Sequence, residues 1–144
     1  MLSGTCKYAI RAVIYLALDV NVKKKIGIIQ ISNNLDIPNP FLGKILQTLA
    51  KHKILSSSKG PNGGFYLGRD PERITLMDIV DVIDGVDTFS KCVIGVKNCS
   101  EQENPCALHS RYSHLREEIK SVFEKETIAG LVEDINAGKQ RINI

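Results

Sequence analysis

Apolar residues near the start of the chain recur at Ile10, Val13, Ile14 and Ala17, the i, i+3, i+4, i+7 spacing of a helix with one buried face. A short helix is expected from about Ile29 to Leu35, ending near Asp36. The stretch IPNPFLGKILQTLAKHKI carries a start signal, with Asn39 as N-cap and Pro40 at the first helical position. Leu42, Ile45, Leu46 and Leu49 form its apolar stripe. The helical period breaks at ILSSSKGPNGGFYLG. Its two ends suit strands, and Pro61-Asn62-Gly63-Gly64 between them predicts a hairpin in which Asn-Gly takes a positive φ.

Thr75 then caps another helix, with Asp78 at its third position as a short capping box. Leu76, Ile79, Val80 and Ile83 make the apolar face, and Gly85 is the stop. From Val86 to Pro105 no period is sustained, so a long loop is expected, of a length usually kept for function or disorder. Cys106 is expected to open a long helix. There Leu108, Tyr112, Leu115, Ile119 and Val122 alternate steps of four and three, a coiled-coil-like seam suited to a partner subunit. A last helix ends at Gly138. The expected fold is mainly α with a small β-hairpin: a winged helix-turn-helix domain plus a long C-terminal dimerisation helix. Its divisions are a DNA-binding domain at 1–85, a cysteine-bearing sensor loop at 86–105, dimerisation helices at 106–137 and a polar tail at 138–144.

A chain 43% apolar and 24% charged is globular in composition. No apolar run approaches the ~18 residues of a membrane span, so no membrane partner is expected. The N-terminal order of positive charge before apolar residues resembles a secretory leader. Arg11 interrupts it, however, and Asp19 follows without a small-residue cleavage site. We therefore expect a cytoplasmic chain that keeps its first helix. The net charge of +3 hides an asymmetry: residues 1–75 carry +7 and residues 76–144 carry −4. A basic half facing nucleic acid is the implication.

The face opposite the Leu42–Leu49 stripe carries donors and small residues fit for a major groove: Asn39, Gly43, Lys44 and Gln47, with Thr48 and Lys51 beside them. Phe41 either meets a thymine methyl or packs on its neighbours. The wing tip, with Asn62, Gly63 and Gly64, is nearly bare backbone and suits a minor groove. Lys59 and Arg69 flank it for phosphate contact, with Lys23, Lys24 and Lys25 further out. Alone, the lysine triplet reads as a solvated turn. GPNGG alone is an ordinary hairpin tip, without the lysine-and-hydroxyl ending of a nucleotide loop. The specific signal is the order of helix, capped helix and Gly-rich hairpin on a basic half.

Three of the four cysteines, Cys92, Cys99 and Cys106, fall in CVIGVKNCSEQENPCALH, and His109 closes it. Thiolate and imidazole ligands select zinc, copper(I) or iron–sulfur clusters over hard cations. Compact zinc sites usually pair ligands two to four residues apart. Here six residues separate consecutive cysteines, and only Cys106 and His109 are closely spaced. A long loop plus a helix end suits an iron–sulfur cluster better, while a zinc site and a metal-free thiol switch remain open; in a reducing compartment, ligands or redox centres are favoured over disulfide staples. His52 and His114 read as ordinary surface or interface residues. No nucleophile–base pattern or nucleotide fingerprint points to an enzyme. From another class, an iron–sulfur carrier using the winged helix for protein contacts alone is the alternative.

Four stretches, CKYAIRAVIYLAL, ISNNLDIPNPFLGKILQTLAKHKIL, SSSKGPNGGFYLG and ITLMDIVDVIDG, resemble the Rrf-two type of bacterial transcription regulators, the IscR, NsrR and CymR kind. The resemblance runs from the first helix to about Leu131. It implies a homodimeric winged-helix protein that binds a palindromic operator in double-stranded DNA, mostly as a repressor, and dimerises through the long C-terminal helix. It also implies an iron–sulfur cluster (2Fe-2S or 4Fe-4S) on Cys92, Cys99 and Cys106, responsive to redox, nitric oxide or cluster status. His109 matches the fourth ligand of IscR-like members. In NsrR-like members that ligand comes from the partner's first helix, where Lys7 stands here, and the adjacent Cys6 is the alternative. The loop departs from the family by one extra residue between cysteines, which leaves zinc or no metal as alternatives.

Overall fold

In the computed structural model, which describes residues 1–96, 98, 99 and 104–139, the helix ends follow local side-chain chemistry. Helix α1 (Gly4–Ala17) begins where the Ser3 hydroxyl accepts the Cys6 amide at 3.0 Å. Ala9, Ala12, Val13, Leu16 and Ala17 bury its inner face, and the alanines let neighbouring helices come close. Helix α2 (Ile28–Leu35) stops at Asp36, which turns the chain in the left-handed region at φ 53°. Helix α3 (Asn39–Lys51) starts one residue earlier than expected. Pro38 occupies the N-cap position, so Asn39 and Pro40 lie inside the first turn and Asn39 makes no side-chain cap. The first-turn N–H groups have no intrahelical acceptor, so a proline there removes no helical bond.

Leu42, Ile45, Leu46 and Leu49 of α3 enter the main core as expected, against Ile31, Leu35 and the inner face of α1. Strands β1 (Leu55–Ser58) and β2 (Gly64–Leu67) pair antiparallel, from Leu55 opposite Leu67 to Ser58 opposite Gly64. The positive φ of the hairpin sits at Gly60 (102°) and not at Asn62-Gly63, because the turn closes from Gly60 to Gly63, whose amide donates to the Gly60 carbonyl at 2.9 Å. Gly63 and Gly64 serve close approach instead. A Cβ on Gly64 would lie 2.6 Å from the Ile26 carbonyl, and one on Gly63 would strike the Ser58 carbonyl oxygen. Ile26 and Phe65 exchange backbone hydrogen bonds at 2.9 Å, which ties the wing to the segment before α2.

A 3₁₀ turn (Pro71–Arg73) leads to α4 (Leu76–Ile83). Thr75 and Asp78 form the full capping box, and Gly85 turns the chain out at φ 93°. Helix α5 (His109–Lys125) begins three residues later than expected. Cys106 lies in the preceding turn, where its carbonyl accepts the His109 amide at 2.9 Å. Helix α6 (Ile128–Asn136) is capped by the Thr127 hydroxyl and returns to the N-terminal core through Ile128, which is fully buried. Backbone bonds from Leu76 to Glu126 and from Ile128 to Ile74 seam the starts of α4 and α6 together.

A second, smaller core gathers Cys6, Val80 and Phe89 with Ile119 and Phe123 of α5. This divides the predicted seam: Ile119 packs within the chain, whereas Leu115 and Val122 are 46% and 54% exposed. Among the described residues no helix is long and apolar enough to cross a membrane.

Candidate nucleic-acid interface and cysteine cleft

The outer face of α3 leaves Asn39, Lys44, Gln47 and Lys51 exposed. Gly43 is half-buried because α2 crosses here, and a Cβ on it would meet Ile28 Cδ1 at 3.3 Å. Phe41 stands edge-on to Tyr8 of α1 with ring centroids 5.8 Å apart, yet remains 39% exposed on the outer side of α3. Thr48 turns its hydroxyl back to the Lys44 carbonyl at 2.8 Å. Between α3 and the wing runs a groove lined by Gln47, Lys59, Gly63, Gly64 and the start of α2. Asn62 stands exposed at the wing tip.

Arg69 lies past β2 and leans towards Asp78 at 4.0 Å, so part of its charge is directed to α4. Lys24 pairs with Asp19 at 3.1 Å, which leaves the lysine turn less basic than its sequence reads. Ile29, 66% exposed, and Ser57 border the same groove and were not singled out by the sequence. The only hint was an apolar residue placed off its helix's buried stripe.

Two described stretches of the cysteine loop pair with one another, which the lack of period did not suggest. Lys91 and Asn98 form an antiparallel bridge, and the Cys99 amide donates to the Ser90 carbonyl at 3.1 Å. This fold-back brings Cys92, Cys99 and Cys106 to the wall of one cleft with His109, Tyr112 and Arg116. Cys92 Sγ lies 3.5 Å from Cys106 Sγ. All four cysteines are free thiols, so a disulfide framework does not hold the fold.

The Cys92 thiol is held below its ordinary pKa, chiefly by the Ile94 amide and then by Cys106, with the Gly95 amide and Cys99 adding to the effect against burial. Amide donors aimed at a sulfur favour its thiolate. His109 Nδ1 is buried without a hydrogen-bond partner among the described residues. Among those residues, no three His, Cys, Asp or Glu side chains converge on a point that would hold a single metal ion.

Cys6 is elsewhere. It is fully buried in the second core, and burial foremost, with Asp84 adding charge and a hydrogen bond, pushes its thiol up to about 12. Burial within its own protomer thus favours the neutral thiol. Within one protomer Cys6 lies in the second core and not on the wall of the cysteine cleft.

Three helices, a glycine-tipped wing and an exposed polar face on the third helix define a winged helix-turn-helix, the architecture of DNA-binding transcription regulators. The family model described as "Iron-dependent Transcriptional regulator", Rrf2, matches residues 2–134, and the chain belongs to the Rrf2 family. A protein of Aquifex aeolicus assigned to the helix-turn-helix transcriptional regulators is 35% identical over 131 residues, spanning 90% of each chain. The regulator IscR of Sodalis glossinidius is 28% identical over 131 residues, covering 91% of this chain and 78% of its own. Among solved structures, CymR of B. subtilis superposes with a TM-score of 0.77 at 23% identity, covering 92% of this chain and 96% of its own. T. potens IscR gives 0.76 at 20% identity, covering 99% and 93%. The chain is thus a DNA-binding regulator and not an enzyme.

Proposed function

We propose that this protein is a homodimeric, sequence-specific regulator, acting as a repressor on a palindromic operator, whose sensor is the Cys92, Cys99, Cys106 and His109 cleft. The observation that carries the sensor reading is that Cys92, Cys99, Cys106 and His109 line one cleft, with His109 Nδ1 buried and without a hydrogen-bond partner among the described residues. Leaving a buried nitrogen unpaired is costly, and a bound group or an ordered water at this cleft would satisfy it. An iron–sulfur cluster suits the donor set by its chemistry, since cysteine thiolates with histidine nitrogen are ligands that such clusters take. Cys92, Cys99, Cys106 and His109 would hold it. When bound, such a group supplies a site whose charge and integrity respond to electrons, oxygen or nitric oxide.

Asn39, Lys44, Gln47 and Lys51 on α3, with Lys59, Asn62, Gly63 and Gly64 of the wing, are the proposed DNA contacts. Gly43 keeps the helices close, and Arg69 adds charge beside the wing. The exposed Leu115 and Val122 of α5 support dimerisation there, because a second copy would cover them. The cleft connects to this interface through α4, which packs on both α1 and α3 and runs directly into the cysteine loop. Movement of the loop is thereby transmitted to the recognition helices, which read half-sites about one helical turn apart.

The test is anaerobic purification with a visible spectrum, iron and sulfide analysis, and binding to a library of DNA duplexes. Charge-transfer bands with matched iron and sulfide support the cluster. A colourless protein that holds zinc, or that holds no metal and binds DNA according to thiol state, moves the sensor to the alternatives. The 3.5 Å separation of Cys92 and Cys106 favours the thiol switch as the second reading. Loss of sequence-selective binding in every state would reject the regulator reading in favour of a carrier.

A further inference from the structure

Arg116 projects from α5 into the wall of the cysteine cleft, and it also borders the adjoining cleft lined by Thr88, Lys91 and Tyr112. Its side chain is only 12% exposed. Nε and Nη1 are buried without a hydrogen-bond partner among the described residues. Among the described residues, the carboxylate that reaches it is that of Glu117 on the same helix, 3.8 Å away, beyond hydrogen-bond reach and 62% exposed. Such a surface ion pair offsets little of the cost of burying a guanidinium. Among the described residues, the charge therefore has no partner of matching burial.

What shares the cleft with it is a set of sulfurs. Three thiolates and a neutral imidazole on a cluster core sum to a net negative charge, which grows by one unit when the group takes up an electron. A buried cation beside that site stabilises the more negative state, because the charge, hydrogen bonding and exposure of a cluster set its potential. An arginine is suited to this, since it stays charged at any working pH and presents N–H donors in a fixed fork.

We propose that Arg116 is the counter-charge of the cysteine site: a positioning residue that ligates nothing, raises the reduction potential of the bound iron–sulfur group and secures the cluster in the cleft. This rests on the cluster reading above.

The experiment compares wild type with Arg116→Gln and Arg116→Lys, all purified anaerobically as full-length protein. Iron, sulfide and thermal stability are measured first. Dithionite, supplying one electron per cluster, is then used in a potentiometric titration followed by absorbance and electron paramagnetic resonance. The expected result is a more negative midpoint potential in Arg116→Gln, or failure of that variant alone to retain iron and sulfide, with Arg116→Lys restoring most of the wild-type behaviour. An unchanged potential in loaded Arg116→Gln overturns the counter-charge role and leaves the cluster reading standing. Equal loss of cluster from both folded variants shows that the shape of Arg116 matters and not its charge, which overturns the proposal. Wild type that holds no iron and sulfide overturns both readings together.

Discussion

Cys92 Sγ and Cys106 Sγ stand 3.5 Å apart although fourteen positions separate them in the chain. Neither lies in a helix or strand, so their proximity is made by the Lys91–Asn98 bridge and by the turn that precedes α5. Cys92 is also the cysteine whose amide donors favour the thiolate. Mild treatment of the metal-free protein with diamide should therefore join Cys92 to Cys106, the two thiols giving two electrons and two protons to the oxidant. Peptide mapping by mass spectrometry reads the link directly. A dominant Cys92–Cys99 link, or none, would show that the cleft is differently arranged.

Cys6 should behave in the opposite way. Its folded thiol is pushed up from 9.0 to about 12, so it remains neutral while the same thiol in the unfolded chain ionises. The stabilising contribution is complete below pH 9 and is lost as the pH rises towards 12, with a slope of at most about 1.4 kcal/mol per pH unit. Denaturant unfolding across that window should be less pH-dependent in Cys6→Ala than in wild type. A constant offset from the smaller side chain is expected at every pH. Parallel curves would refute the assignment.

The wing depends on a glycine that has no turn to make. A Cβ on Gly64 would press on the Ile26 carbonyl from 2.6 Å, between two rigid backbone segments. Gly64→Ala should cost about 1–3 kcal/mol of stability. It should also weaken DNA binding beyond that loss by displacing Lys59 and Asn62. Urea unfolding and a DNA titration on the same preparation separate the two effects.

On the recognition helix, Gln47→Ala should weaken operator binding by about 1–3 kcal/mol if its amide reads a base. Lys51→Ala should weaken binding to all duplexes alike and reduce the salt slope by about one if it meets phosphate. Phe41→Ala is expected to lower stability through the lost edge contact with Tyr8, and to weaken DNA binding beyond that loss if its exposed ring meets a thymine methyl. Fluorescence anisotropy at several salt concentrations distinguishes the three.

Much of this was legible in the order of residues alone. Leu42, Ile45, Leu46 and Leu49 are buried as their spacing demands, and Thr75 with Asp78 forms the expected capping box, because both depend on contacts within a turn or two of helix. The errors fell where a local preference competes with packing. Asn39 is a good N-cap in isolation, yet Pro38 occupies that position. Asn62-Gly63 is a strong turn signal, yet Gly60 carries the positive φ and the later glycines yield space to the segment before α2.

The site divides along the same line. Sequence by itself determined the winged-helix class, the basic half and the cysteine-rich loop, since composition and period are properties of the chain order. Only the tertiary structure decided that Cys92, Cys99 and Cys106 share a cleft, that Cys6 is buried in a separate core, and that Arg116 lines the cleft with the cysteines. The physical reason is distance along the chain. Periodicity reports which face of an element is buried, but not which remote residue meets it, and the charge or acidity of a side chain is set by that neighbour.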